Sequence, residues 1–97
     1  MGRFAVIREA GPGWDSAKPL REQEAWREHA DFMNALDAEG FVVLGGPVGG
    51  GPKTLLMVEA QSEDDIRRRF DEDPWAPLGL LTVASVEPWE ILLGKGL

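Results

Sequence analysis

The side chains best suited to move protons in this 97-residue sequence are its single histidine, His29, and Asp73, which precedes a proline. Histidine titrates closest to neutral pH, and a carboxylate can accept a hydrogen bond from one imidazole nitrogen and thereby fix the tautomer. The other ring nitrogen is then available as a general base or acid. The two residues therefore predict acid/base chemistry if the fold brings them together.

Both residues also have ordinary structural explanations. His29 lies among apolar residues such as Trp26 and Met33 on one helical face, where the spacing alone favours a buried histidine with satisfied hydrogen bonds. Asp73 before Pro74 is a typical N-cap signal. A carboxylate has enough acceptor sites to cap a turn and bind an imidazole together, so a His29–Asp73 pair stays open.

Other chemistries fit the composition poorly. The sequence has no cysteine and one histidine, so we expect neither thiol catalysis nor a zinc site, and no cofactor. The glycine-rich segment 45–52 joins two predicted strands and precedes no helix, which indicates a hairpin turn and not a phosphate loop. The net charge of −7 disfavours nucleic acid and anionic membranes as partners. The arginine run 67–69 is flanked by acidic residues and indicates a solvated helix face.

The hydrophobic pattern predicts a short series of strands and helices. In order, we expect a strand at 3–8, a helix at 20–40, strands at 41–44 and 54–59, a helix from 62 to about 71, a turn or short helix at 73–75, and a strand at 80–86. This β-α-β-β-α-β order is typical of a ferredoxin-like α+β fold with a four-stranded antiparallel sheet. We expect residues 1–97 to form a single domain.

Two of the predicted strands are apolar on both faces. Segments 41–44 and 55–58 do not alternate apolar with polar residues, although two helices can cover only one face of the sheet. A second copy of the chain is the simplest cover for the other face. The sequence therefore predicts a homodimer in which two sheets pack face to face as a dimeric α+β barrel.

The motifs together resemble the YciI-like (YCII-related) family over about residues 25–90. The resemblance is carried by a histidine helix with its following Gly-Pro and by a later Asp-Pro-aromatic stretch. These residues are His29, Phe32, Met33, Leu36, Glu39, Gly40, Gly46 and Pro47, then Asp73, Pro74, Trp75, Gly79, Leu80, Val86, Pro88 and Trp89. The chain departs from the shortest family members in its loop 11–18.

The resemblance implies the same ferredoxin-like fold and dimeric α+β barrel, with His29 and Asp73 as a polar pair in a cleft proposed as an active site. Most of the family has no assigned reaction. A related member is linked to dehydrochlorination of a chlorinated hydroxyquinol, and the wider superfamily includes muconolactone isomerases and cofactor-free monooxygenases. Trp26, Trp75 and Trp14 are candidate apolar walls for a substrate, with ordinary packing as their alternative explanation. Glycine at Gly46 would let the backbone approach the pocket.

Three functional hypotheses follow. The first is a small cofactor-free enzyme that uses His29 and Asp73 as an acid/base pair on a small organic molecule, in isomerase-, lyase- or dehydrochlorinase-type chemistry. The second is a non-catalytic small-molecule binding or sensing module that uses the same cleft. The third is a structural accessory in which the pair only specifies the core. The absence of cysteine and of a signal-peptide pattern favours a cytoplasmic location.

Overall fold

Four antiparallel strands form one sheet, and two helices lie against one of its faces, in a computed structural model that describes residues 1–94. The elements are β1 (Gly2–Ala10), α1 (Trp26–Ala38), β2 (Val42–Pro47), β3 (Thr54–Ala60), α2 (Glu63–Phe70) and β4 (Leu81–Pro88), with a single 3-10 turn at Leu20–Glu22. The strand order is β2-β3-β1-β4. The ferredoxin-like α+β fold predicted from the sequence is confirmed.

The hydrophobic core fills the space between the helices and one face of the sheet. Its buried members are Val6, Leu36, Phe41, Val42, Leu56, Val58, Ala60, Ile66, Phe70 and Val86. Because side chains alternate along a strand, Phe4, Val6 and Arg8 of β1 all point towards the helices. Arg8 is therefore a charged residue on the strand face that buries the apolar Phe4 and Val6.

The short helix α2 has the termini that its sequence predicts. The Ser62 hydroxyl accepts a hydrogen bond from the Asp65 amide at 3.2 Å, which satisfies one free N–H of the first turn. Acidic residues occupy the first turn and arginines the last, as the helix dipole favours. Ile66 and Phe70, four residues apart, are both buried.

The predicted continuous helix at 20–40 is wrong in its first third. A 3-10 turn at Leu20–Glu22 is followed by extended backbone at Gln23, and Ala25 has a left-handed conformation with φ of 57° before α1 begins at Trp26. The Gln23 side chain is the physical reason, because its amide donates to the carbonyls of Asp15 and Lys18 at 2.7 and 2.8 Å. These contacts with a preceding loop outweigh the helical preference of the segment.

The strands are longer than predicted at most ends. β1 extends to Ala10 and β2 to Pro47, so two glycines that were assigned to a turn belong to the sheet. The β2–β3 register shifts between Val42 and Leu44, which is a bulge in the edge strand. Predicted strand 54–59 differs from β3 by one residue, and the β2–β3 hairpin is confirmed.

The opposite face of the sheet carries apolar side chains that the helices do not cover. Ile7 pairs with Leu55 across β1 and β3, and both alternate with core residues on their strands. Leu44 on β2 is 44 % exposed. None of the helices in residues 1–94 is long and apolar enough to cross a membrane.

The loop at 11–18 packs against the chain that follows Asp73. The amides of Gly11 and Gly13 donate to the carbonyls of Leu80 and Gly79 at 3.0 and 2.9 Å. The two segments approach so closely that a Cβ atom on Gly13 would lie 2.0 Å from the Leu78 carbonyl oxygen. Glycine is therefore required here by the space available.

Replacing Gly13 with alanine should consequently lower the free energy of unfolding. The new methyl group meets backbone and not a flexible side chain, so we expect a loss of about 1–3 kcal/mol in urea denaturation. Gly51→Ala is the matched control, since a Cβ there meets no atom within 4 Å. Equal stability of the two variants would contradict the close approach.

Candidate active site

The fold brings His29 from α1 and Asp73 from the segment after α2 into direct contact. Nδ1 of His29 lies 2.8 Å from Asp73 Oδ2 and 3.0 Å from Oδ1. Both side chains are buried, with His29 7 % and Asp73 1 % exposed. The second ring nitrogen, Nε2, has no hydrogen-bond partner among the described residues.

Asp73 is fixed by the turn that it begins. Its Oδ1 accepts the Trp75 amide at 2.9 Å, and its main-chain carbonyl accepts the Ala76 amide at 2.8 Å. The carboxylate therefore caps the turn and binds the imidazole at the same time, as its several lone pairs allow. The sequence-predicted capping role and the contact with His29 coexist.

Arg8 is a third member of this buried group, although its sequence context did not mark it as a site residue. Its Nη1 donates to Asp73 Oδ2 at 2.9 Å, and its guanidinium carbon lies 4.8 Å from the centre of the Phe70 ring. The signal that could have found it is the alternation of Phe4, Val6 and Arg8, which places all three on the helix-covered face.

Burial and hydrogen bonding act in opposite directions on the Asp73 carboxyl. Burial raises the pKa of Asp73, but the hydrogen bonds from His29 and the Trp75 amide, with the charges of His29 and Arg8, outweigh burial and hold this pKa below its ordinary value. Burial lowers the pKa of Arg8, and the adjacent Asp73 carboxylate partly offsets this effect. The site thus keeps Asp73 ionised.

This lowered pKa predicts how the stability of the protein depends on acid. A carboxyl whose pKa is lower in the folded state stabilises the fold above its unfolded pKa, about 3.9, and this contribution is lost as the pH falls through the folded value. We expect the free energy of unfolding of Asp73→Asn to vary less steeply with pH than that of the parent protein below about pH 4. Urea denaturation at several acid pH values measures both slopes, and equal slopes would contradict the shift.

Two tryptophan rings lie beside the imidazole, and a third packs against one of them. Trp75 is fully buried and stacks face to face on His29, with ring centres 3.7 Å apart and planes 4° apart, while its Nε1 donates to the Glu24 carbonyl. Trp14 packs edge-on against Trp75 at 5.9 Å. Trp26 is half-buried, with its ring centre 5.8 Å from that of His29.

A cleft of about 420 Å³ opens beside His29, between α1 and the β2 side of the sheet. Its walls include Trp26 and Gly46, two of the predicted substrate-binding residues, and Arg8. The other lining residues are Leu20, Met33, Asn34, Asp37, Val42, Leu44, Gly45, Pro47, Thr54, Leu56 and Leu81. Trp75 and Trp14, predicted as walls, do not line this cleft; Trp75 stacks on the imidazole, and Trp14 packs against Trp75.

Two other hollows do not include His29. One, of about 610 Å³, is lined by charged residues such as Glu39, Glu59 and Arg69 together with apolar ones such as Phe41, and the other, of about 330 Å³, lies on the far side of Arg8 beside Phe70. No cluster of three or more histidine, cysteine, aspartate or glutamate side chains that could hold a metal ion occurs within residues 1–94. The cleft beside His29 is therefore the candidate active site.

Comparisons with known proteins agree with this fold. The family model of the YCII-related domain matches residues 3–90. Among solved structures, the chain is similar to 5-chloro-2-hydroxyhydroquinone dehydrochlorinase from Burkholderia phenoliruptrix AC1100 in complex with 2,5-dihydroxybenzoquinone, with a TM-score of 0.64, 24 % identity, and 96 % of each chain covered. A search of curated proteins gave no match.

Proposed function

Because the chain belongs to the YCII-related domain family, we propose that it is a small enzyme in which His29 and Asp73 act as an acid/base pair on a small organic molecule. One observation carries this proposal. The Nδ1 side of the imidazole is held by a buried carboxylate at 2.8 Å, while His29 also lines a cleft of about 420 Å³. This arrangement leaves Nε2 as the nitrogen available to a bound substrate.

The proposed mechanism uses side chains of this chain and one main-chain amide. Asp73 accepts a hydrogen bond from the Nδ1–H of His29, which keeps that proton, so that Nε2 carries the lone pair and can take a proton from the substrate. Arg8 and the Trp75 amide keep the carboxylate ionised and oriented, which in turn stabilises the imidazolium that forms. As a substrate C–H or O–H bond breaks, its electrons expel a leaving group such as halide, or shift a double bond. Imidazolium then returns its proton to the product or to water.

The similar dehydrochlorinase suggests the first molecules to test. Hydroxyquinols, halogenated phenols and small lactones are screened by thermal shift and then for turnover by chloride release or absorbance. We expect at least one to be converted, with conversion lost in His29→Gln and Asp73→Asn. Ligands that bind the cleft at saturation without conversion would favour the alternative, a non-catalytic binding or sensing module.

We also propose that the uncovered sheet face pairs two copies of the chain as a homodimer. Ile7, Leu55 and Leu44 give this face an apolar character that a second sheet would cover. Sedimentation equilibrium should give twice the 10.6 kDa chain mass, and Ile7→Glu should shift the protein to monomer by burying a charge at the interface. A parent protein that is monomeric at the concentration used for assays would contradict this proposal. The cytoplasmic location and the lack of a cofactor remain predictions.

A further inference from the structure

Several N–H groups of Arg8 have no hydrogen-bond acceptor among the described residues. Its side chain is 2 % exposed, yet among residues 1–94 only Nη1 has partners, which are Asp73 at 2.9 Å and the Met33 sulfur at 3.9 Å. Its Nε is enclosed without a partner, the one such side-chain nitrogen or oxygen within residues 1–94. A guanidinium has five N–H donors, and buried donors in folded proteins are almost always paired.

The need to balance the charge of Asp73 does not explain why the buried cation is an arginine with unpaired N–H groups. The carboxylate already accepts from His29 and from the Trp75 amide, and a lysine ammonium would supply a balancing point charge. Arginine instead presents a planar fork suited to two oxygens at once. The plane of Arg8 is held by its position 4.8 Å above the Phe70 ring.

Arg8 also belongs to the wall of the cleft that contains His29. The β1–β4 register shifts beside Arg8, because β4 has one extra residue between Ser85, the partner of Ile7, and Val83, the partner of Arg8. Among the described residues, Asp37 is the one carboxylate that lines the cleft, and its side chain is exposed and screened by solvent. The part of the cleft wall formed by Arg8 is therefore its most favourable place for a negative oxygen.

We propose that Arg8 determines specificity by donating to an acidic oxygen of the substrate. The cleft then prefers a small carboxylate, phenolate or hydroxyquinone enolate over the matching neutral molecule. Arg8 binds the charged oxygen while His29 faces the reacting atom. This inference deepens the proposed function and rests on it, because the bound molecule matters for catalysis only if His29 acts on it. The preference for a charged ligand over a neutral one is a property of binding and can be measured without turnover.

A matched pair of ligands tests this preference without turnover. In 2,5-dihydroxybenzoquinone each hydroxyl is conjugated to a carbonyl, so the molecule is a vinylogous acid and ionised at neutral pH, whereas 2,5-dimethoxybenzoquinone is uncharged. We expect calorimetric titration to show that the parent protein binds the acid at least about tenfold more tightly than the ether. In Arg8→Gln this ratio should fall towards one, mainly through weaker binding of the acid.

Two further comparisons keep the test independent of folding. Arg8→Gln in the Asp73→Asn background, compared with Asp73→Asn alone, removes the arginine without leaving an unpaired buried carboxylate. Arg27→Gln is the control for general charge effects, because Arg27 is exposed on α1 and does not line the cleft. This control should keep the parent ratio.

Two results would overturn the inference. One is an acid-to-ether ratio that is unchanged by Arg8→Gln in both backgrounds, which would make Arg8 a structural counter-ion only. The other is no saturable binding of the acid at millimolar concentration. Neither result removes the proposed acid/base function, which is measured separately through His29 variants and turnover.

Discussion

Replacing Asp73 with leucine should lower the free energy of unfolding by about 3–5 kcal/mol. The substitution leaves the Arg8 guanidinium buried without its carboxylate, and it also removes the acceptor for the His29 ring and the Trp75 amide. An uncompensated buried charge is among the most costly defects that a small domain can contain. Urea denaturation monitored by tryptophan fluorescence gives the difference.

A double variant separates the charge from the rest of the effect. Arg8→Met with Asp73→Leu removes both charges, so we expect it to recover much of the stability lost in Asp73→Leu alone. Asp71→Leu is the control for the nearby chain, because Asp71 is exposed and should change stability by no more than about 0.5 kcal/mol. A loss below about 1 kcal/mol in Asp73→Leu would show that Arg8 does not depend on this carboxylate.

Replacing His29 with glutamine should reduce turnover by about 10²–10⁴-fold on any substrate that the parent protein converts. The glutamine amide can still donate to Asp73 and occupy the space beside Trp75, but it cannot carry a proton between substrate and solvent. We therefore expect a large fall in kcat with a smaller change in KM. Steady-state kinetics of the purified variant provide both values.

Glu28→Gln is the matched control for this experiment. Glu28 precedes His29 on α1, is exposed, and does not line the cleft, so its removal should leave kcat unchanged. Circular dichroism and thermal unfolding of His29→Gln should show that the fold is intact. Full activity of a folded His29→Gln would remove His29 from the chemistry.

Much of the fold follows from local pattern. The apolar strands, the Ser62 cap and the spacing of Ile66 and Phe70 each depend on near neighbours in sequence, and the structure agrees with them. The meeting of His29 with the segment after α2 follows from topology, since both helices cover the same face of the sheet. Local chemistry and chain order were sufficient for these features.

The features that the sequence did not reveal depend on distant contacts. Alanine is a strong helix former, so nothing in the segment itself marks the left-handed Ala25 or the break before α1. The break requires Gln23 to bind the loop at Asp15 and Lys18. Arg8 lay at the end of a predicted strand, where a charge normally indicates exposure. Its burial depends on Asp73, 65 residues later.

Trp75 shows how the same aromatic residue can serve either of two roles. Its aromatic side chain and its position near Asp73 favoured a role as a substrate wall. The turn that Asp73 caps instead stacks the indole on the imidazole, with the two ring centres 3.7 Å apart. A stacked ring in that position limits the orientations of His29. The backbone geometry of the turn decides on which side of the imidazole the indole lies. The residue type alone does not predict this.

Proton transfer at His29 is the central claim, and exchange of ring hydrogens in deuterium oxide tests it most directly. The ring carbons of 2,5-dihydroxybenzoquinone that carry hydrogen lie between oxygen-bearing carbons, so they can gain and lose a proton as an enol does. We predict that the parent protein accelerates loss of the ring-hydrogen NMR signal and that His29→Gln, with the ligand bound, does not. Equal exchange rates for the two bound complexes would contradict this account of the site.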